Sequence, residues 1–328
     1  MNGKIRIGIC GYGNLGKGVE SELARSADME LTAIFSKRNL AGGTGVRSDV
    51  PVVHADDAAG WKDRIDVMIL CGGSKSGLPQ QAPAFAKIFN TVDSFDTHAK
   101  IPEYLAEIDR MAKAGNNISI ISAGWDPGLF SLLRLYAGSI IKEGATYTFW
   151  GKGVSQGHSE AIRGIEGVLD AIQYTIPVAS AMERVRNGET PELTPREKHT
   201  RECYVVVTDD ADKLDVERRI KGMPDYFADY DTTVHFVSRE EMKASHTKMM
   251  HGGSVIHMGN TGEGNNQMIE FSLKLDSNPE FTASVLVAYA RAAYRLSAAG
   301  ERGARTVFDI PPKLLAEPTP EELVKELM

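Results

Sequence analysis

The sequence predicts an α/β protein, a doubly wound parallel sheet that carries a second, α+β domain. Three observations lead there. Over roughly the first 120 residues short apolar runs alternate with helix-spaced segments, a glycine-rich turn joins the first such pair, and after Gly128 the pattern changes to longer strands.

Lys4–Cys10 reads as a short apolar strand and Asn14–Arg25 as a helix. Leu31–Phe35 and Val67–Cys71 are further strands, followed by a helix near Gln80–Phe89. Thr91–Phe95 and Ile118–Ile121 continue the strand series around a helix over Pro102–Ala114. Beyond Gly128, Leu129–Ile141 is an apolar helical pattern, and Thr146–Trp150 is a strand entering the glycine-rich stretch Gly151–Gly157. Ile162, Ile165, Leu169 and Ile172 fall at helical spacing, with Gly164 and Gly167 counting against that helix.

Glu202–Thr208, Thr232–Val237, Val255–Met258 and Met268–Leu275 are strands, and in the last of them Ile269, Phe271, Leu273 and Leu275 alternate with polar partners. Asn278-Pro279 is a helix start, with Gly300 beyond the expected end at Ala299. Thr319-Pro320-Glu321-Glu322 opens a last helix with a capping box. The expected division is a first domain over 1–122, completed by C-terminal helices at about 279–328, and an inserted second domain over 123–278.

At 328 residues, two domains suit the chain better than one core. A formal net charge of −7 argues against general nucleic-acid binding, and no apolar run reaches membrane-spanning length. The N-terminus enters a strand without the apolar stretch of a signal peptide. Cys10, Cys71 and Cys203 form no C-x-x-C pair, and the eight histidines include no H-E-x-x-H cluster. A cytoplasmic, metal-free protein follows.

Gly11-Tyr12-Gly13-Asn14-Leu15-Gly16 is a G-x-G-x-x-G turn between a strand and a helix. Gly11 permits the tight turn, Gly13 lets a diphosphate approach the backbone, and Gly16 lets helix press on strand. This predicts a Rossmann-type dinucleotide site. After the second strand stand Ser36, Lys37 and Arg38, where an NAD site usually has an acid. A hydroxyl and two cations suit a 2′-phosphate, so the expected cofactor is NADP. Cys71-Gly72-Gly73-Ser74 ends another strand at the same edge and is a second candidate cofactor loop.

Three further loops bear on the reaction: Val92-Asp93-Ser94-Phe95-Asp96-Thr97-His98, Ser122-Ala123-Gly124-Trp125-Asp126-Pro127-Gly128, and Trp150-Gly151-Lys152-Gly153-Val154-Ser155-Gln156-Gly157-His158-Ser159. With the glycine loop and the basic turn, and with His251-Gly252-Gly253 and the run Leu275–Thr282, the chain resembles the meso-diaminopimelate dehydrogenase family over essentially its whole length.

That resemblance implies NADP-dependent, reversible oxidative deamination of the D-centre of meso-diaminopimelate to L-2-amino-6-oxopimelate, which cyclises to tetrahydrodipicolinate, with release of ammonia. It places the enzyme in lysine and diaminopimelate biosynthesis and implies a homodimer. It also implies that Asp96 and Asp126 bind the D-centre ammonium, with Trp125 and Trp150 walling the pocket and Gln156 and Gly157 hydrogen-bonding the substrate. Thr175, Arg201 and His251, with Asn278 close by, correspond to ligands of the distal end. Cofactor contacts extend to Ser94, Phe95, Ala123, Gly124, Trp125, Asp126 and Pro127.

Asp96, Asp126 and His158 are the candidate proton acceptors, and the assignment among them stays open. Lys37 stands where arginine also fits the family pattern. The competing readings are a dihydrodipicolinate reductase, an aspartate or saccharopine-type dehydrogenase, an NADPH-binding sensor, and a broader D-amino acid dehydrogenase.

Overall fold

The protein is described by a computed structural model covering residues 3–38, 45–74 and 77–328. β1 (Ile5–Cys10) turns Ile5, Ile7 and Ile9 into one apolar core and Cys10 into another, as a strand covered on both faces must. It runs into α1 (Asn14–Leu23), which lies close to its neighbours through two glycines. A Cβ on Gly16 would stand 2.2 Å from the Gly11 carbonyl oxygen, and one on Gly18 2.9 Å from the Ala283 Cβ. Next come β2 (Met29–Ser36), β3 (Val52–His54), β4 (Val67–Leu70), α2 (Gly77–Ile88), β5 (Asn90–Asp93), α3 (Ile101–Gly115) and β6 (Ile118–Ile120), then α4 (Leu129–Ile140).

The following segment holds β7 (Glu143–Trp150), β8 (Gly153–Val154), α5 (Gln156–Arg163), β9 (Val168–Pro177), α6 (Ala179–Arg186), α7 (Pro195–Lys198) and β10 (His199–Val207). After these come α8 (Lys213–Lys221), β11 (Asp231–Phe236), α9 (Arg239–Ser245), β12 (His251–Thr261) and β13 (Asn265–Leu275). They form a four-stranded sheet ordered β11-β10-β9-β8 and a three-stranded antiparallel sheet ordered β13-β12-β7. Leu169 and Ile172, which the spacing assigns to a helix with Ile162 and Ile165, lie in β9 instead. Gly164 caps α5, Gly167 takes a φ of +82°, and the β-branched Val168, Ile172, Thr175 and Ile176 suit a strand.

The chain ends with α10 (Asn278–Ala298), β14 (Gly303–Arg305) and α11 (Pro320–Leu327), the last opened by a Thr319–Glu322 capping box. β14 joins a fully parallel seven-stranded sheet ordered β14-β6-β5-β4-β1-β2-β3. Ala283, Leu286, Val287, Ala290 and Ala293 of α10 bury against the Ile7, Ile9 and Val67 face of that sheet. Each large aliphatic side chain buried this way contributes about 1.5–3 kcal/mol. Arg291 fixes the helix further, donating to Asp28 at 2.6 and 2.8 Å and to the Leu315 carbonyl at 2.7 Å. Met1–Leu132 with Pro279–Met328 makes one compact unit, and Leu133–Asn278 makes the other. Among the described residues no helix is long and apolar enough to cross a membrane.

Candidate active site

In the seven-stranded sheet the strand order reverses at β1 and β4, and ligands of such sheets gather at the C-terminal strand ends there. Gly11 follows β1 with a φ of +96°, its N–H on the Phe35 carbonyl at 2.8 Å. Gly13 caps α1 without a side-chain hydrogen bond, and a Cβ on it would meet nothing within 4 Å. Among the described residues nothing crowds the start of α1 at Gly13, as approach of a diphosphate to the backbone requires. NADP fits this cradle.

Tyr12 is buried, its hydroxyl bonded to Glu20 and 3.2 Å from the Gly45 carbonyl. Glu20 also accepts the Arg47 and Ser48 amides at 3.0 and 2.9 Å, which ties segment 45–48 to α1. Burial pushes its carboxyl up, but the bonds from Ser48, Tyr12 and Arg47 bring it below its usual range. Ser36 is buried and accepts the Arg38 amide at 3.0 Å, Lys37 is exposed, and an Arg38 Nη lies 3.4 Å from the Tyr12 carbonyl. The basic turn thus sits against the glycine loop. Cys71 is hydrogen-bonded to the Cys10 carbonyl at 2.7 Å, and the Gly72-Gly73-Ser74 turn reaches the β5 loop, where Ser74 Oγ accepts the Asp96 amide at 3.1 Å.

Asp96 and Asp126 leave the sheet edge from the neighbouring strands β5 and β6, Asp96 exposed and Asp126 half-buried. Between strand and acid, Phe95 stacks on Tyr104 with ring centroids 4.1 Å apart, and Ser94 is half-buried. On the β6 side the Ala123 amide donates to the Asp93 carbonyl at 2.8 Å, and the Gly124 amide to Pro127 at 3.1 Å. Trp125 is buried, edge-on to Phe130.

The second group lies in the 133–278 unit. Thr175 and Arg201 are cross-strand partners in β9 and β10, and an Arg201 Nη bonds the Thr175 hydroxyl. Arg201 is only 7% exposed, its guanidinium 3.9 Å from the centre of the Tyr230 ring, and burial pulls its pKa down. Among the described residues it has no carboxylate partner, and its Nε is buried without an acceptor. His251 packs its ring against Gly153, where a Cβ would come within 2.3 Å, and its Nδ1 accepts the Gly252 amide at 2.8 Å. Trp150 stacks on His199 at 5.2 Å and donates its amide to His199 Nε2 at 2.8 Å. Gln156 and Gly157 open α5 exposed, the Gln156 amide 3.8 Å from Met249 Sδ, and the Asn278 amide bonds the Met249 carbonyl at 2.9 Å.

His158, the third candidate proton acceptor, lies in the 133–278 unit. Its Nδ1 lies 2.7 Å from the Ser155 hydroxyl, and its ring meets Tyr226 and Phe227 edge-on. Burial, aided by the Arg201 charge, pulls its pKa down to about 4. His199 is likewise lowered to about 4 by burial and by the Arg201 and Lys198 charges. Both rings are therefore neutral at neutral pH.

Sequence reading missed several groups. Asp93 ends β5 as a fully buried carboxylate; a charge at the close of a β-run is the signal that marks it. His199, Tyr230, Tyr226 and Phe227 carry no such local signal, because their meaning comes from partners far away in the chain.

A glycine cradle at the switch point, a basic turn after β2 and acids on adjacent strand ends define a Rossmann-type nicotinamide-dependent oxidoreductase. Residues 124–277 match the diaminopimelic acid dehydrogenase C-terminal domain family. The meso-diaminopimelate D-dehydrogenase of Ureibacillus thermosphaericus is 60% identical over 325 residues, 99% of either chain. A six-fold variant of the meso-DAP dehydrogenase of Clostridium tetani E88, solved with DAP, aligns at 54% identity and a TM-score of 0.94, covering 99% of this chain and 100% of that one. An engineered D-amino acid dehydrogenase bound to NADP+ aligns at 42% identity and a TM-score of 0.88, with 99% and 100% coverage. The chain belongs to the meso-diaminopimelate D-dehydrogenase family. The six residues changed in the C. tetani variant have the mutual spacing of Gln156, Thr175, Arg201, Met250, His251 and Asn278, and only Met250, where that enzyme has proline, differs in type.

Proposed function

We propose that this protein is an NADP-dependent dehydrogenase that oxidatively deaminates the D-centre of meso-diaminopimelate to L-2-amino-6-oxopimelate and ammonia, reversibly. The observation that carries the reading is Arg201, a buried guanidinium with a hydroxyl and an aromatic face but no carboxylate among the described residues. A buried cation without a counter-charge is costly, and the distal carboxylate of the substrate supplies one in bidentate form. Thr175, His251 and Asn278 complete that end, with Gln156, Gly157 and Trp150 along the chain of the substrate; the spacing shared with the C. tetani variant supports this set.

At the reacting end Asp96 and Asp126 take the ammonium in charge-assisted hydrogen bonds, and Trp125 walls the site. Bound NADP, held by the Gly11–Gly16 loop, by Ser36, Lys37 and Arg38, by the Cys71–Ser74 turn and by the Ser94–Phe95 and Ala123–Pro127 backbones, supplies the hydride acceptor. The two carboxylates also receive the proton lost by the amine and orient the water that attacks the resulting imine, which gives the carbonyl and ammonia.

We further propose a homodimer in the cytoplasm. The exposed Leu135, Tyr136 and Ile140 of α4 support the first, and three cysteines without a disulfide the second.

The test is NADPH and ammonia formation from the meso, LL and DD isomers, with NAD beside NADP. Turnover of the meso form with NADP and little of LL is expected. NADP binding without turnover of any isomer would return the chain to the sensor reading.

A further inference from the structure

Asp93 closes β5 at 1% exposure, with no cation beside it among the described residues. One carboxylate oxygen, Oδ1, accepts two backbone amides from different loops: Phe95 at 2.9 Å and Ser122 at 3.1 Å. The other, Oδ2, accepts the Tyr104 hydroxyl of α3 at 2.8 Å, and the Tyr104 ring is stacked on Phe95. The main chain of Asp93 repeats the bridge, its carbonyl accepting the Ala123 amide at 2.8 Å. Ser122 reaches Oδ1 by taking a φ of +55°, left-handed backbone that a residue with a Cβ adopts at a cost and that its bond to Asp93 offsets.

These bonds fall at the bases of the two loops that carry the aspartates: Asp96 directly follows Phe95, and Asp126 lies on the turn that Ser122 begins. β5 and β6 are paired only through Thr91–Ser119 and Val92–Ile120, so beyond Val92 the ladder no longer sets the spacing of the two chains. Past that point Asp93 does.

We infer that Asp93 is a positioning residue for the reaction, setting the separation and direction of Asp96 and Asp126 by clamping both loops on one buried carboxylate oxygen. The inference rests on the reaction proposed above. A carboxylate has the right number of acceptors for the task, because two amides share one oxygen and a hydroxyl takes the other. Burial without a counter-charge pushes the Asp93 carboxyl up to about 6, against the pull of its hydrogen bonds from Phe95, Tyr104 and Ser122. Such a group persists where its geometry is needed, since an apolar residue would suit the surrounding core of Phe95, Ile121 and Tyr104.

The test compares Asp93→Ala, Asp93→Asn and Tyr104→Phe with the wild type by steady-state kinetics on meso-diaminopimelate, NADP titration, and hydrogen exchange of peptides spanning 94–98 and 122–128. In Asp93→Ala, kcat should fall roughly 100-fold, the loss expected for about 1 Å of misplacement. NADP affinity should fall less than kcat, because the Gly11–Gly16 loop and the Ser36–Arg38 turn also hold the cofactor and do not touch Asp93, and exchange should rise in both loops together. Asp93→Asn keeps an oxygen for the two amides, and the Tyr104 hydroxyl can turn to accept from its nitrogen, so kcat should return to within a few-fold of wild type. Tyr104→Phe should also stay within a few-fold. If Asp93→Ala does not fold, Asp93→Ser, small and polar, should show the same split. A wild-type kcat in the Ala variant, losses of kcat and NADP affinity in equal measure, or faster exchange in one loop alone would overturn the inference. Should the wild type itself not turn over meso-diaminopimelate, the functional reading fails, while the exchange pattern still decides whether Asp93 clamps both loops.

Discussion

At the edge of the seven-stranded sheet the feature that marks a ligand site is backbone, the Gly11–Gly13 turn and the start of α1 at Asn14. In the 133–278 unit it is a set of side chains, Thr175, Arg201 and His251, brought together by the pairing of β8, β9 and β10 and by the start of β12. A backbone site needs glycine where the chain must approach closely, so it is written locally. A side-chain site needs only that the right residues meet, and they come from positions far apart in sequence. The first unit therefore suits a cofactor shared by many enzymes, and the second suits recognition of one particular substrate.

That contrast can be broken most sharply at the glycine loop. Gly16→Ala puts a methyl 2.2 Å from the Gly11 carbonyl oxygen, so α1 must shift and NADP binding should be lost; calorimetry would show no NADP heat and a lower Tm. Gly13→Ala should behave differently, because its methyl meets no atom of the described residues within 4 Å. Tm without cofactor should be unchanged within error while NADP affinity falls at least tenfold, which separates space kept for a ligand from space kept for the fold. Equal affinity in Gly13→Ala and wild type would mean that the diphosphate does not sit there.

Acid should divide the two units. Asp93 has a folded-state pKa raised from 3.8 to about 6, so what it adds to stability is greatest in acid and is lost as pH rises through about 6. His158 and His199 are depressed from 6.5 to about 4, so their contribution is present above 6.5 and is lost as pH falls towards 4. On acidification from neutrality to about pH 4.5, hydrogen exchange should therefore rise around β10 and α5 before it rises around β5 and β6. His199→Gln, which keeps an acceptor for the Trp150 amide, should flatten that response, and an unchanged response would remove His199 from the account.

The smallest effect is expected at Lys37. It is exposed and lacks the planar fork of arginine, so Lys37→Arg should raise the preference for NADP over NAD only a few-fold, read from the ratio of kcat/KM values.

The same contrast explains what could be read in the sequence. The β1–turn–α1 unit, the parallel strands β2, β4, β5 and β6, the basic turn and α10 announce themselves through glycines, short apolar runs and an Asn-Pro helix start. The stretch 162–172 misleads because Ile162, Ile165, Leu169 and Ile172 satisfy a helical period, while Gly167, free to take a positive φ, marks where the helix has already ended. β3, β8 and the short helices α6 to α9 leave too little periodicity to register. The loops of Asp96 and Asp126 can be found from strand ends, but the part given to these two residues, like that of Thr175, Arg201 and His251, comes from family resemblance. The Asp93 bridge and the His199 support of Trp150 depend on partners 29 and 49 residues away and emerge only from the fold.

Whether Arg201 receives the distal carboxylate is tested by D-lysine, which has the D-centre and chain of the substrate but not that carboxylate. We would measure kcat/KM for meso-diaminopimelate and for D-lysine in the wild type and in Arg201→Met. A preference for meso-diaminopimelate of roughly 30-fold or more is expected in the wild type, about 2 kcal/mol or above for a buried charge pair, with its near disappearance in the variant. A preference that survives in Arg201→Met would place recognition of the distal end elsewhere and contradict the account.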